Sequence, residues 1–403
     1  MERDLAGVWS RRVEAYRYLF PVGGVYALIG GGVWALHGLG LLAEYPSAAH
    51  PALMTGGFLF SCALGFLWTA LPRFLGVPLP TFAELFPVIA VMGALTCAPL
   101  SVAPTLLYAA ALWSFGITAA FVAGRYRRRT KDLLQPVWFV AVGLATGIAA
   151  SAALLLHDLT DIPAAVVSIA RSFYYRGTML FFVAGIGMRL IPALAGVNPA
   201  PAMQTIDLRA AGKRRLPDGK AVELALLAAG IIAAFVIEGL GEIRAGAALM
   251  AVVMVWVSTR GFSIHRLPQR GMAFQWGVWL AGWATVAAPV AAAVFPEHYL
   301  HAWHILFIVG FGLLTPLVAL RVALSHGGYD PPAVERRGVV RWIIIVLLTA
   351  AATRVSVAFM PQTALNHYAY AAGLWCVAIG LWLAVMLRHL RPAGKPPAPE
   401  AKA

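Results

Sequence analysis

Long apolar segments alternate with short polar ones along almost the whole chain. Twelve of the apolar segments are long enough to cross a bilayer as helices. The sequence therefore predicts an all-α polytopic membrane protein, in which residues 1–390 form a single transmembrane domain. The predicted spans cover residues 18–42, 51–72, 82–99, 101–124, 133–156, 173–195, 221–240, 242–259, 272–295, 299–324, 339–360 and 366–388.

The tenth apolar segment carries the most informative polar residues. It begins with His298, His301 and His304, and it is followed by Arg321 and His326. At ~1.5 Å per residue, His304 and Arg321 lie ~25 Å apart along a helix, which is close to the thickness of the hydrocarbon core. This helix is therefore expected to carry imidazoles at one membrane face and a cation at the other.

The composition excludes a soluble protein. Hydrophobic residues make up 61% of the chain and charged residues only 12%, whereas about a quarter of a soluble protein is charged. The net charge of +14 does not indicate nucleic acid, because the basic residues stand in short clusters between apolar segments. The three cysteines lie inside apolar segments without C-x-x-C spacing, which argues against a disulfide framework and against covalent haem attachment.

The distribution of charge predicts the orientation in the membrane. With a cytoplasmic N-terminus, the inside loops hold most basic residues, at Arg73, 125–131, 209–220, 260–270 and 336–337. The outside loops hold mainly Glu44, Asp158, Asp161, Glu238, Glu242 and Glu297, with Arg171 and Arg244 as exceptions. This asymmetry predicts that both termini are cytoplasmic. The Pro- and Ala-rich tail, residues 391–403, is predicted to be disordered on the cytoplasmic side.

Spans 2, 6 and 10 end in a similar way. Span 2 ends at Pro72 and Arg73, span 6 has Arg189 before Pro192, and span 10 ends near Arg321. These spans are four apart in the chain, as three repeats of four helices would require. Pro, Gly and Arg are also common at the ends of spans in general, so both interpretations remain open.

Histidines from two spans are expected at one depth in the membrane. His50 begins span 2, and His301 and His304 begin span 10; both spans are even-numbered and run in the same direction. Two parallel helices that each supply an imidazole can ligate a haem iron from opposite sides or share a smaller metal. We take His50 and His304 as the candidate ligands and His301 as a reserve ligand. The alternative is an interfacial histidine that pairs with Glu297 or a backbone carbonyl.

The arginines near the span ends have two interpretations. They can bind an anionic group such as a haem propionate, or they can extend their charged ends to the membrane surface. Arg176 lies at the outer start of span 6 and Arg354 in the outer half of span 11, and a buried guanidinium needs an anionic partner, which a propionate would supply. Arg171, Arg176 and Arg244 are expected nearest in depth to a haem held by His50 and His304. A second set near the cytoplasmic face could hold another cofactor or form a structural network, and it comprises Arg73, Arg189, Arg321 and His326.

Motifs in three spans occur in an order that resembles the NnrS family. In span 10, His304 leads an apolar run with Gly310 and Gly312 to Thr315, Arg321 and Ser325-His326-Gly327. Span 2 has His50, Met54, Gly57-Phe58 and Thr69-Ala70-Leu71-Pro72. Span 6 has Gly187-Met188-Arg189-Leu190-Ile191-Pro192. Together with the span count, these matches extend the resemblance over most of the chain.

The resemblance implies a haem- and copper-containing protein of the bacterial inner membrane. It implies a link to nitric oxide metabolism, sensing or nitrosative-stress protection in denitrifying bacteria, with haem b as cofactor and a redox partner protein. The chain also resembles, more distantly, subunit I of haem–copper oxidases, which draws ligands from helices 2 and 10. Span 2 begins His50-Pro51-Ala52-Leu53 where the family has His-Ala-His-Glu, and span 6 has no His. Both differences remove candidate copper ligands.

Two other classes of protein share part of this pattern. A secondary transporter without haem also has twelve spans and internal repeats, but it carries midplane polar residues and broken helices. A non-catalytic haem-binding subunit of a membrane redox complex would share the histidines. It would differ in showing no response to nitric oxide.

Overall fold

The computed structural model describes residues 7–131, 135–197 and 219–391. Most of the polar loop at 198–220 and nearly all of the C-terminal tail lie outside these residues. Within the described ranges, eleven helices are long and apolar enough to cross a membrane, and a shorter apolar helix, α3, completes a set of twelve. In chain order they are α1 Tyr16–Gly38, α2 Ala49–Leu75, α3 Phe82–Cys97, α4 Ala103–Arg127, α5 Trp138–Leu159, α6 Ala164–Leu194, α7 Gly219–Gly239, α8 Ile243–Gly261, α9 Ala273–Val294, α10 Pro296–Gly327, α11 Gly338–Phe359 and α12 Pro361–Arg388.

Each of the twelve predicted spans corresponds to one of these helices, so the prediction of an all-α polytopic membrane protein is confirmed. The largest difference in a boundary is at α6, which begins at Ala164 rather than at residue 173. The added turns contain polar residues, including Ser172, which interrupt the apolar pattern. Ser172 is buried, because its hydroxyl donates a hydrogen bond to Glu238 on α7.

Three helices form the centre of the bundle. The apolar windows of α2, α6 and α10 are 83, 72 and 67% buried, against 39–56% for the other eight spans. Around them, α12 packs against α1, α4 against α5, and α8 against α9. The central helices are four apart in the chain, and the three peripheral contacts join successive groups of four. This is the arrangement that three repeats of four helices require.

Each central helix contains a π-helical stretch: Leu53–Leu59 in α2, Phe173–Gly177 in α6 and Ile305–Phe311 in α10. Such stretches change the direction of neighbouring side chains and often occur at functional sites. His304 lies immediately before the stretch in α10, and His50 lies three residues before the one in α2. The end of the bundle at which these stretches lie is called the histidine end below, and the opposite end is called the arginine end.

A buried tryptophan joins α12 to two other helices at the histidine end. The indole N–H of Trp375 donates a hydrogen bond to the carbonyl oxygen of Ala27 at 2.9 Å. Its ring lies so close to Gly31 on α1 and Gly312 on α10 that an added Cβ would meet it at 2.4 and 2.7 Å. Glycine is therefore required at both positions for this close packing, which fixes one wall of the cavity described next.

Candidate functional site

A cavity of about 510 Å³ opens between the central helices at the histidine end. Its volume lies in the range of about 300–1,000 Å³ that is typical of small-molecule and cofactor sites. Residues of α2, α6 and α10 line it, and α1, α11 and α12 add further wall residues. His50 and His304 both line this cavity. The structure thus brings together the two histidines that the sequence predicts as ligands.

The hydrogen bonds of these two histidines fix their tautomer. Nδ1 of His50 lies 2.7 Å from the carbonyl oxygen of Gly30, and Nδ1 of His304 lies 2.7 Å from that of Leu300. A carbonyl oxygen only accepts, so each Nδ1 carries a proton, and in the neutral imidazole Nε2 then keeps its lone pair. Metal-ligating histidines are usually held in this way, by a hydrogen bond from the ring nitrogen that does not bind the metal. Both imidazoles are therefore in the form that binds iron through Nε2.

His301 differs from its neighbour His304. It does not belong to the cavity lining, and its Nδ1 lies 2.8 Å from Nη1 of Arg354. A guanidinium has no acceptor, so Nδ1 of His301 accepts the hydrogen bond and the proton of this imidazole is on Nε2. The structure does not place His301 with His50 and His304 at the cavity.

The cavity walls are mostly apolar and aromatic. Met54 and Phe58 of α2, Phe307 of α10 and Trp375 of α12 all face it. Beside His50, the Trp34 ring stands edge-on, with centroids 6.0 Å apart and planes at 74°. Walls of this kind exclude water and offer flat contact surfaces, which suit a large planar ligand.

Arg176 is buried at the cavity wall, but it is already paired. Its guanidinium forms a bidentate ion pair with Glu238, in which Nη1 lies 3.1 Å from Oε2. Nη2 also donates to the hydroxyl of Ser172 at 2.8 Å, and the cation lies 4.3 Å from the ring centroid of Trp303. Glu238 accepts a further hydrogen bond from the hydroxyl of Tyr299 at 2.5 Å. Arg176 therefore needs no anionic ligand for charge compensation.

The sequence pattern had assigned Glu238 to an outside loop. In the structure it lies in α7 and is buried. The available signal was a carboxylate that follows fourteen apolar or glycine residues in the last turn of a span, which in a membrane requires a partner.

Two arginines at the cavity, Arg171 and Arg354, form no ion pair in the described part of the chain. Arg171 is exposed, whereas Arg354 is partly buried. Arg354 contacts His301 and lies 4.6 Å from the ring centroid of Tyr368. A guanidinium within a membrane span is costly without an anion. The cavity thus combines two imidazoles with a partly buried cation that lacks a counter-ion.

Two of the basic residues predicted at the arginine end are in ion pairs. Arg73 binds Glu14 through two hydrogen bonds, of which the one from Nη1 to Oε2 is 3.2 Å long. Arg321 forms two hydrogen bonds with Glu335, and the one from Nη2 is 2.6 Å long. The carboxylate side chain of Glu335 is fully buried. Burial raises the pKa of this carboxyl group, and the contact with Arg321 opposes that rise.

The other two residues of this set make aromatic contacts. The Arg189 cation lies 4.6 Å from the ring centroid of Phe74, and the His326 ring lies 6.2 Å from that of Tyr16. None of the four predicted residues at this end lines the large cavity. Their contacts are those of a structural network.

The donor set at the histidine end suits some metal centres and not others. Within residues 7–131, 135–197 and 219–391, no group of three or more His, Cys, Asp or Glu side chains could hold a metal ion. A haem iron takes four nitrogens from its macrocycle and needs only one or two protein ligands. The two imidazoles present at the cavity therefore fit a haem.

The fold and the cavity define a class of protein: an all-α polytopic membrane protein with a histidine-containing cavity between three central helices. The family model described as "NnrS protein" matches residues 12–393, which is nearly the whole chain. The chain belongs to the NnrS family. A comparison with curated proteins found no match.

Proposed function

We propose that this protein is a haem b protein of the bacterial inner membrane that acts in nitric oxide metabolism, sensing or nitrosative-stress protection. One observation carries the proposal: His50 and His304 line a single cavity, each with Nδ1–H held by a carbonyl and Nε2 free to ligate. Membership of the NnrS family supports the link to nitric oxide. The distribution of basic residues supports cytoplasmic N- and C-termini.

Each part of the cavity has a separate task in this proposal. His50 and His304 would hold the iron through Nε2, and their hydrogen bonds to the carbonyl oxygens of Gly30 and Leu300 fix the direction of each ring. Arg354 supplies a positive charge for a propionate. The aromatic walls cover the macrocycle and exclude water. When bound, haem b supplies an iron centre whose potential is set by its axial ligands, nearby hydrogen bonds and burial.

Two imidazoles at one cavity would suit a haem used for electron transfer. A response to nitric oxide would depend on one of the two imidazoles being the more mobile. The hydrogen bond of His304 is to Leu300 in its own helix, whereas that of His50 is to Gly30 in α1. We assign His304 as the more mobile ligand, since its support does not depend on a second helix. A redox partner protein would supply the electrons.

Haem content of purified variants tests the site. We expect His50→Ala and His304→Ala each to lose most of the haem that the wild-type protein binds. The control is His326→Ala, which removes a histidine at the arginine end and is expected to retain haem. Full retention of haem in both His50→Ala and His304→Ala would overturn the assignment.

The same preparations distinguish the rival functions. A transporter without haem would show no Soret band. A non-catalytic haem-binding subunit would show haem but no spectral or kinetic response when nitric oxide is added. An NnrS-type protein that acts on or senses nitric oxide is expected to show both the Soret band and the response.

A further inference from the structure

A second, smaller cavity lies deeper between the same three helices. It has a volume of about 90 Å³. It lies one or two helical turns below the large cavity on each central helix: Phe58 and Leu59 line the first cavity, and Cys62 and Ala63 line the second. The other central helices contribute in the same order, with Arg176 above Met179 on α6 and Ile308 above Leu314 on α10.

The lining of the second cavity is almost entirely apolar. Thr315 and Cys62 are its most polar residues, and the rest are aliphatic, aromatic or methionine side chains. A buried water needs two to four polar partners, so water is not expected to fill this space. Apolar cavities in proteins remain dry and take up small apolar molecules such as xenon. The lining therefore selects by size and polarity rather than by hydrogen bonding.

The position of the second cavity also favours a bound ligand. An unfilled space costs stability because the atoms around it lose dispersion contacts. Here the space is bounded by α2, α6 and α10 together with Phe20 of α1, and several lining residues, such as Val183, Ile186 and Val318, are partly exposed, so the space opens toward the surface of the bundle. Its ligands would arrive from the bilayer, in which small apolar gases dissolve and from which water and ions are excluded.

We propose that this second cavity binds one small apolar gas molecule, of the size class of diatomic gases and xenon. Binding here does not depend on the proposed haem. If haem occupies the first cavity, the second cavity is a store from which a diatomic ligand reaches the iron along the central helices, and this part alone rests on the proposed function.

Xenon is the probe for the test, with the full-length protein. Crystals under xenon pressure are expected to show one xenon site between Cys62, Met179 and Thr315. In solution, the wild-type protein is expected to give a saturable ¹²⁹Xe chemical-shift change. Two cavity-filling variants, Ala63→Leu and Ala319→Leu, are each expected to abolish it.

The control is Ala120→Leu on α4, a position that is exposed on the bundle surface and does not line the cavity. It is expected to leave the xenon signal unchanged. The use of two filling variants on different helices keeps the test valid if one of them fails to fold. A wild-type protein without xenon at this position, or with a lipid or detergent acyl chain there, would overturn the proposal.

Measuring haem and xenon binding on the same preparation separates the gas site from the proposed function. Xenon binding in a preparation without any Soret band would contradict the proposed function and leave the gas site intact. Haem binding without xenon binding would contradict the gas site and leave the proposed function intact.

Discussion

Nη1 of Arg354 donates a hydrogen bond to Nδ1 of His301 at 2.8 Å, and this contact gives two histidines on one helix different roles. His301 and His304 are one turn apart, so sequence spacing alone makes them equivalent candidates. The guanidinium fixes the tautomer of His301 with the proton on Nε2, whereas His304 keeps its Nε2 lone pair. His301 therefore orients Arg354 at the cavity, and only His304 has the tautomer that the proposed haem ligation through Nε2 requires.

This relationship gives the first prediction. Arg354→Gln removes the partly buried cation at the cavity that has no acidic partner, so the affinity for haem is expected to fall. Loss of a charge-assisted hydrogen bond costs about 1.5–3 kcal/mol, which corresponds to a decrease of about 10- to 150-fold. Haem titration of the purified apoprotein measures it. Arg354→Lys is expected to recover part of the affinity, and equal affinity in wild type and Arg354→Gln would exclude a propionate at this position.

A second prediction concerns the buried ion pair at the cavity wall. Glu238→Gln leaves the cation of Arg176 buried without its counter-ion. The free energy of unfolding is therefore expected to fall by about 3–5 kcal/mol. Thermal unfolding in detergent micelles measures this change. The double variant Arg176→Met with Glu238→Leu removes both charges and is expected to regain most of the lost stability. A double variant as unstable as Glu238→Gln would mean that the pair itself, rather than the unpaired charge, determines stability.

The third prediction uses two adjacent glycines of α1. At Gly31 an added Cβ would lie 2.4 Å from Cδ1 of Trp375, whereas at Gly32 nothing lies within 4 Å. Gly31→Leu is expected to displace Trp375, to lower stability by about 1–3 kcal/mol and to reduce haem content. Gly32→Leu is the matched control, and it is expected to retain haem and to gain up to about 1 kcal/mol from helix propensity. Similar behaviour of the two variants would contradict the packing described.

The fourth prediction separates the two ends of the bundle. Arg73→Gln, Arg189→Gln and Arg321→Gln are expected to leave the haem-to-protein ratio unchanged. Among them, Arg321→Gln is expected to be the least stable, because it leaves the fully buried carboxylate of Glu335 without a partner. Arg73 and Glu14 are both partly exposed, so their pair is expected to contribute about 1 kcal/mol or less. Loss of haem in any of the three that unfolds at the same temperature as the wild type would indicate a second cofactor at the arginine end.

Much of the fold follows from the hydropathy pattern, because a membrane helix must satisfy its own backbone and expose apolar side chains to lipid. This rule predicted twelve segments, and it placed His50 and His304 at the start of co-directional helices. It failed at the start of α6, where Ser172 is polar but buried. The hydropathy of a segment depends only on the residues of that segment, whereas the burial of Ser172 depends on Glu238 from another helix.

The candidate site was predictable only in part, for the same reason. The depth of a histidine in the membrane follows from its position in a span, but its tautomer depends on a distant carbonyl, such as that of Gly30 for His50. The pairing of Arg176 with Glu238 was missed because the acid lies 62 residues further along the chain. The second cavity carries no sequence signal, since its lining residues are ordinary apolar residues of a membrane helix.

The central claim is that the imidazoles of His50 and His304 hold one haem b. Absorption and electron paramagnetic resonance spectra of the purified full-length protein test it most directly. The account predicts a Soret band, paired bands on reduction, and a low-spin ferric signal that is lost in both His50→Ala and His304→Ala. A protein without a Soret band, or a low-spin signal that persists in either variant, would contradict it.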